Sequence, residues 1–373
     1  MTNLHTQSDG PAGAPTLVLL GSLGSNAAMW EPQLGALTER LRVVRIDARG
    51  HGDSPTEPAT APTIADLGRD VLAALPAERV HLAGLSLGGM TAMWIAAHAP
   101  HRVARLALLC TTAHFTDPAP WLHRAATVRG RGLDAIADTV LGIWFTAGLA
   151  DRDPEVIARH RAMITGTDRE GYAQCCEAIA TMDLRPDLAR IAAPTMVIAG
   201  ARDPSTPPPH ARAIAAGIAG SRLEILDDAA HLANVEQAGE VTHLLLEHFT
   251  ESPYHNGART RRAVLGDAHV DAAEKSTTEF TAPFQEFLTR YAWGEVWSRP
   301  GLDRPTRSAI TLAALTALGA ENEIGMHVRA AIRNGLTPDQ ISEILLHTAV
   351  YAGLPRANRA YAIAQQILTE ETS

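Results

Sequence analysis

The chain has 373 residues, 46% hydrophobic and 20% charged, with a formal net charge of −9. That length exceeds one ordinary core and predicts two domains in a soluble globular protein. The acidic balance argues against nucleic acid as a partner, no apolar run reaches membrane-spanning length, and the start MTNLHTQSDGPAGAP lacks a signal sequence's basic and apolar parts.

The first predicted strand is 16–20 (TLVLL), followed by the loop GSLGSNAAMW and a helix to about Arg40. Residues 41–46 form the next strand, which runs into the glycine-punctuated loop DARGHGDS. A helix over about 64–75 leads to the stretch that organises the chain, VHLAGLSLGGMTAMWIAAHAP at 80–100. It reads as a buried strand, a sharp turn and a helix. The turn, Gly84-Leu85-Ser86-Leu87-Gly88, has the G-x-S-x-G spacing of a nucleophile elbow. Glycines on both sides of the turn prevent collisions, and Ser86 projects at a helix N-terminus. There the Leu87 N–H and the positive helix end favour an oxyanion.

Further strands are predicted at 105–109, 195–199 and 223–226. Strands alternating with helices indicate a mostly parallel sheet covered on both faces. The alternation stops between about 113 and 192, where a helical insert carries Trp121, Arg124, Arg129, Arg131, Trp144 and Phe145. An insert there would form a lid. A serine nucleophile needs a base, and the base needs an orienting acid. Asp203 follows the strand TMVIAG, and His231 lies in the last loop, DDAAH, after LEIL. Asp227 and Asp228 are rival acids, but their nearness to His231 suits them better to shaping its loop.

Residues from about 15 to 250 resemble the α/β-hydrolase fold family, whose triads run serine, acid, histidine. The stretches GSLGSNAAMW, RIDARGHGDSP, GLSLGG and DDAAHLANVEQ, with the Trp144–Phe145 pair, resemble its 3-oxoadipate enol-lactonases. The resemblance implies a Ser86–His231–Asp203 triad. The family's usual His-Gly pair in the first loop is replaced by Gly21-Ser22, which leaves the Leu23 N–H as the second oxyanion donor beside Leu87. A lid arginine, Arg124, Arg129 or Arg131, would bind a substrate carboxylate.

Residues 251–276 read as a polar linker running into a second domain, 277–373, in which every segment has helical period. Helices are predicted over 281–297, 303–318, 321–334, 338–352 and 358–368, with Asn334-Gly335 as a helix end and Thr337-Pro338 as a start. An all-helical domain of this size favours a homo-oligomer. Glu343, His347 and Tyr351 fall on one helical stripe, as do Glu323 and His327 on the preceding helix, with Arg307 one helix earlier.

The run RSAITLAALTALGAENEIGMHVRAAIRNGLTPDQISEILLHTAVYAGLPRANRAYAIAQQIL is similar to the carboxymuconolactone decarboxylase family. A peroxidase-reducing branch of that wider family places a Cys-x-x-C pair before the helix histidine. Here Ala320 and Glu323 stand in those places, which removes thiol chemistry. The resemblance implies cofactor-free decarboxylation, with His327 as proton donor, His347 and Tyr351 as its partners or alternatives, and Glu323 tuning it. Arg307 would hold a substrate carboxylate.

The expected architecture is thus an α/β-hydrolase domain over 1–250 joined to a decarboxylase-like helical domain. The expected activity is decarboxylation of 4-carboxymuconolactone followed by hydrolysis of the enol-lactone, in the β-ketoadipate breakdown of protocatechuate. No metal or cofactor motif is present. The expected partners are small lactone carboxylates, not nucleic acid or a membrane. Cys110, Cys175 and Cys176 offer no disulfide framework or metal spacing, which fits the cytoplasm. The alternative is a general carboxylesterase with a non-catalytic helical oligomerisation domain.

Overall fold

Short apolar runs without polar alternation fold as strands buried on both faces. TLVLL does so as β2 (Thr16–Leu20), buried at every position. The computed structural model describes residues 2–56, 61–250, 253–299 and 301–371. The chain divides into two units, Met1–Thr250 and Glu251–Ser373.

In the first unit β1 (Thr6–Asp9), β2, β3 (Arg42–Ile46), β4 (Val80–Leu85), β5 (Val103–Leu109), β6 (Thr195–Gly200) and β7 (Arg222–Leu226) form one sheet in the order β1-β3-β2-β4-β5-β6-β7. Every pairing is parallel except β1 with β3. The carboxyl ends of β2 to β7 therefore lie along one edge, where loops carry function in such sheets. The helices α1 (Glu31–Leu37), α2 (Ile64–Ala74) and α3 (Leu87–His98) belong to the first half of the sheet. Between β5 and β6 the expected insert forms five helices. They are α4 (Ala119–Arg131), α5 (Asp134–Trp144), α6 (Ala147–Arg152), α7 (Pro154–Gly166) and α8 (Arg169–Thr181). α8 is pinned to the loop after β3. The Asp168 N–H donates to the Gly50 carbonyl at 3.1 Å, and an added Cβ at Gly50 would come within 2.5 Å of Gly171. α9 (Pro208–Gly217), α10 (Ala233–Glu236) and α11 (Ala238–Phe249) complete the unit.

The second unit is helical: α12 (Pro253–Leu265), α13 (Asp267–Ser276), α14 (Ala282–Leu288), a π-helix (Thr289–Val296), α15 (Arg304–Leu318), α16 (Glu321–Arg333), α17 (Pro338–Ala352) and α18 (Leu354–Glu371). The linker expected over 251–276 is instead two helices of this unit. They bury a narrow stripe, Val264, Leu265 and Val270, against Trp293 and Ala330. Gly266, at φ +88°, breaks the helix between them, and Arg333 Nη1 caps α12 by donating to the Leu265 carbonyl at 2.7 Å. The single helix expected over 281–297 widens into the π-helix where Gly257 of α12 presses on it. An added Cβ there would meet the Thr289 carbonyl oxygen at 1.9 Å. A separate core of Leu312, Ile324, Val328, Ile341 and Leu345 joins α15, α16 and α17. Thr337 and Gln340 form the capping box that starts α17. Among the described residues no helix is long and apolar enough to cross a membrane.

Candidate active sites

Ser86 sits between β4 and α3 at φ 57°, ψ −117°, one of two non-glycine residues with positive φ among those described. Holding a serine there costs about 1–3 kcal/mol, and the surrounding structure imposes it. The Ser86 N–H donates to the Leu109 carbonyl at 3.0 Å, while Thr111 Oγ1 donates to the Ser86 carbonyl at 2.7 Å. The flanking glycines are steric requirements. An added Cβ on Gly84 would lie 2.2 Å from the Gly88 carbonyl oxygen, and one on Gly88 2.4 Å from that of Leu20.

The loop after β2 is fastened to this turn by Gly88 N–H donating to the Gly21 carbonyl at 3.0 Å. The Ser22 N–H is directed at Met29 Sδ, 3.3 Å away. That leaves Leu23 as the loop's next N–H, while Leu87, first in α3, has no carbonyl a turn back to bond.

Asp203 lies after β6 and His231 after β7, both buried. His231 Nδ1 is 2.7 Å from Asp203 Oδ2. Asp203 also accepts from the Ser205 and Thr206 N–H groups and from Thr206 Oγ1. Burial alone would raise its pKa, but His231 and the Thr206 donors outweigh burial and lower it. The rivals Asp227 and Asp228 are exposed, and Asp228 pairs with Arg202 at 2.6 Å. The buried thiols are raised in pKa by burial, Cys175 to about 12, so they remain protonated.

The three lid arginines fare differently. Arg129 is spent on Glu170 and Glu177, and Arg131 is exposed. Arg124 is half-buried, 4.8 Å over the Trp121 ring, with no ion-pair partner among the described residues. It neighbours Tyr172, whose hydroxyl burial raises and Arg124 opposes. The Tyr172 ring lies against Gly24, where an added Cβ would be 2.9 Å from it, one residue past Leu23. Nothing in the run REGYAQCC singles out this tyrosine. Trp144 is buried and accepts from the Leu232 N–H at 2.9 Å, beside His231.

In the second unit the candidates separate. Burial lowers the pKa of His327, Glu323 opposes and His269 reinforces the lowering. His269 is itself lowered by burial and by Arg261, with Glu323 opposing. His347 and Tyr351, the expected partners of His327 or alternatives to it, are not among the side chains that shift it. Their rings pair at 5.3 Å on α17, Tyr351 is 79% exposed, and His347 lines a groove with Ala309, Ile310 and Ala313 of α15. Helical spacing fixes a face within one helix but not which neighbour that face meets. Arg307, expected to hold a substrate carboxylate, donates from Nη2 and Nε to the carbonyls of Arg299 and Leu302 at 2.8 and 3.2 Å. His269 and Arg261 were hidden in the presumed linker.

Residues 15–238 match the family model described as alpha/beta hydrolase fold, and 282–366 match the carboxymuconolactone decarboxylase family. The first unit is similar to 3-oxoadipate enol-lactonase 2 of Acinetobacter baylyi, 39% identical over 64% of this chain and 90% of that protein. The second is similar to 4-carboxymuconolactone decarboxylase of the same organism, 47% identical over 32% of this chain and 90% of the relative. The chain belongs to both families. Its α/β-hydrolase unit is also similar to the crystal structure of the enol-lactonase from Burkholderia xenovorans LB400. That match is 42% identical with a TM-score of 0.65, covering 67% of this chain and 97% of the other. The decarboxylase-family unit thus follows an α/β-hydrolase unit in a single fused chain.

Proposed function

We propose that this fusion performs two consecutive reactions: decarboxylation of 4-carboxymuconolactone in the second unit, then hydrolysis of the resulting 3-oxoadipate enol-lactone in the first. The observation that carries the reading is the pairing itself. One chain spans nine-tenths of a relative named for each step.

In the first reaction the departing carboxylate sits on the ring carbon vinylogous to the unsaturated lactone carbonyl. When CO2 leaves, the bonding electrons pass through the C=C into that carbonyl, so the substrate is its own electron sink. The resulting dienolate needs a proton at its α-carbon, and His327 supplies it. Burial favours the neutral imidazole at rest, while Glu323 and an arriving anionic substrate favour the protonated form.

In the second reaction Ser86 attacks the lactone carbonyl as His231 takes its proton, and Asp203 fixes the imidazole tautomer and stabilises the imidazolium. The Leu23 and Leu87 N–H groups receive the oxyanion. The leaving group is an enolate, which tautomerises to a ketone and pulls the ring-opening forward. Water then frees the acyl-enzyme through the same histidine.

His327→Ala tests the division of labour. It should open supplied enol-lactone at the wild-type rate but release CO2 from 4-carboxymuconolactone at least a hundred-fold more slowly. A wild type that cleaves simple aryl esters but releases no CO2 would replace this reading with that of an esterase carrying a helical assembly module.

A further inference from the structure

The second unit contains a cavity of about 410 Å³ among α12, α13 and α14, and nothing in the reaction scheme above uses it. Ala258, Val270 and Ala282 give it apolar walls, and Arg261 lines it. Arg261 is only 7% exposed and has no salt-bridge partner among the described residues, with Glu274 as its electrostatic neighbour, a rare state for a cation. Its bonds to Gln285 Oε1 at 3.0 Å and Thr289 Oγ1 at 3.4 Å both leave from Nη1. The Nε–H is buried and has no partner among the described residues.

A buried guanidinium donor left without an acceptor is costly, and a ligand that supplies one relieves that cost. The Nε edge is also one of the two edges on which guanidinium takes a carboxylate in parallel bonds. A planar group braced through Nη1, with its Nε–H buried and unpartnered among the described residues, still has a donor to offer an anion that reaches it from the cavity. Two carboxylates also line the cavity. Glu274 is bound outward by Arg262 at 2.9 Å, and Glu286 is exposed. Their charge disfavours a ligand anionic throughout and suits one carboxylate directed at the arginine, with the uncharged lactone ring along the apolar wall. The volume lies within the range of small-ligand sites.

We propose that Arg261 forms the carboxylate subsite of the decarboxylase unit, receiving one carboxylate of the lactone on its Nε edge in the α12–α13–α14 cavity. This rests on the reading of the second unit as a lactone decarboxylase. The same arginine is an electrostatic neighbour of His269, which in turn neighbours His327. The cavity is therefore linked to the proton donor through titratable side chains of α12, α13 and α16. Arg307, tied to two backbone carbonyls, gives up the substrate role expected of it.

The test uses the full-length chain and isocitric lactone, a saturated lactone dicarboxylate that has no conjugated electron sink and so does not decarboxylate. Its inhibition constant against CO2 release is measured alongside KM for 4-carboxymuconolactone. Arg261→Gln should raise both at least ten-fold, Arg261→Lys should recover part of the loss, and Ala258→Phe should raise both by filling the cavity with the arginine intact. Values within two-fold of wild type for Arg261→Gln would overturn the proposal, as would an Arg307→Gln variant that alone loses affinity. The ¹⁵N resonance of Arg261 Nε in the unmutated chain decides the matter independently of how any variant folds. It shifts on adding isocitric lactone if the carboxylate docks there, and a still resonance refutes the site. If wild type releases no CO2, the decarboxylase reading fails, while the resonance still reports whether the cavity binds a carboxylate.

Discussion

Arg124 illustrates how much depends on what else a side chain is bonded to. Three arginines in one lid stretch are equivalent in sequence, but Arg129 already holds two glutamates and Arg131 faces solvent. Only Arg124 combines partial burial, an aromatic platform and the absence of a described ion-pair partner. A charge-assisted hydrogen bond contributes about 1.5–3 kcal/mol. Arg124→Gln should therefore raise KM for enol-lactone about ten-fold or more, leaving hydrolysis of an uncharged aryl ester near wild type. Arg131→Gln should change neither, and steady-state kinetics on the two substrates separates the cases. The sequence alone could not make this choice, because the deciding residues, Glu170, Glu177 and Tyr172, lie some 40 positions away. By contrast, the positions of Ser86, Asp203 and His231 could be read from the sequence because each follows a strand marked by an apolar run. The structure brings two of them together, with His231 Nδ1 2.7 Å from Asp203 Oδ2.

Between elements, packing makes the first unit sensitive to acid. His81 of β4 and His248 of α11 both lie against Phe249, with ring centroids 5.4 and 4.9 Å from it. Burial, with Arg105 adding to it, lowers both to about 4. An unfolded histidine titrates near 6.5. Above that pH both states are neutral and these groups add no pH dependence. As pH falls from 6.5 toward 4, the unfolded chain takes up protons that the folded unit refuses, and stability declines. Asp203 acts in the same direction at lower pH, since its carboxyl is held below its ordinary value and stabilises only while ionised. The melting temperature of the first unit should be flat above pH 7 and fall between 6.5 and 4, with the slope reduced in His248→Gln. An unchanged slope in that variant would remove this pair as the cause. The same scale shows where pattern reading fails. β1 (TQSD) is an exposed polar strand with no apolar alternation, made a strand only by its antiparallel pairing to β3. The helices α12 and α13 bury too narrow a stripe for their period to stand out, and they carry Arg261 and His269.

Across the whole molecule, both family assignments followed from local motifs, the elbow at one end and the NGLTP-joined helices at the other. What local motifs did not supply was the grouping of side chains from separate helices. His327 and His347 appear equivalent along the sequence but have different surroundings in the fold. The proposed function places two consecutive reactions on one chain, at two separate sets of residues. The most direct test supplies 4-carboxymuconolactone to Ser86→Ala and measures CO2, enol-lactone and 3-oxoadipate together. CO2 should be released at the wild-type rate, with stoichiometric accumulation of enol-lactone and no enzymatic 3-oxoadipate. Failure to release CO2, or formation of 3-oxoadipate at the wild-type rate, would contradict the proposed function.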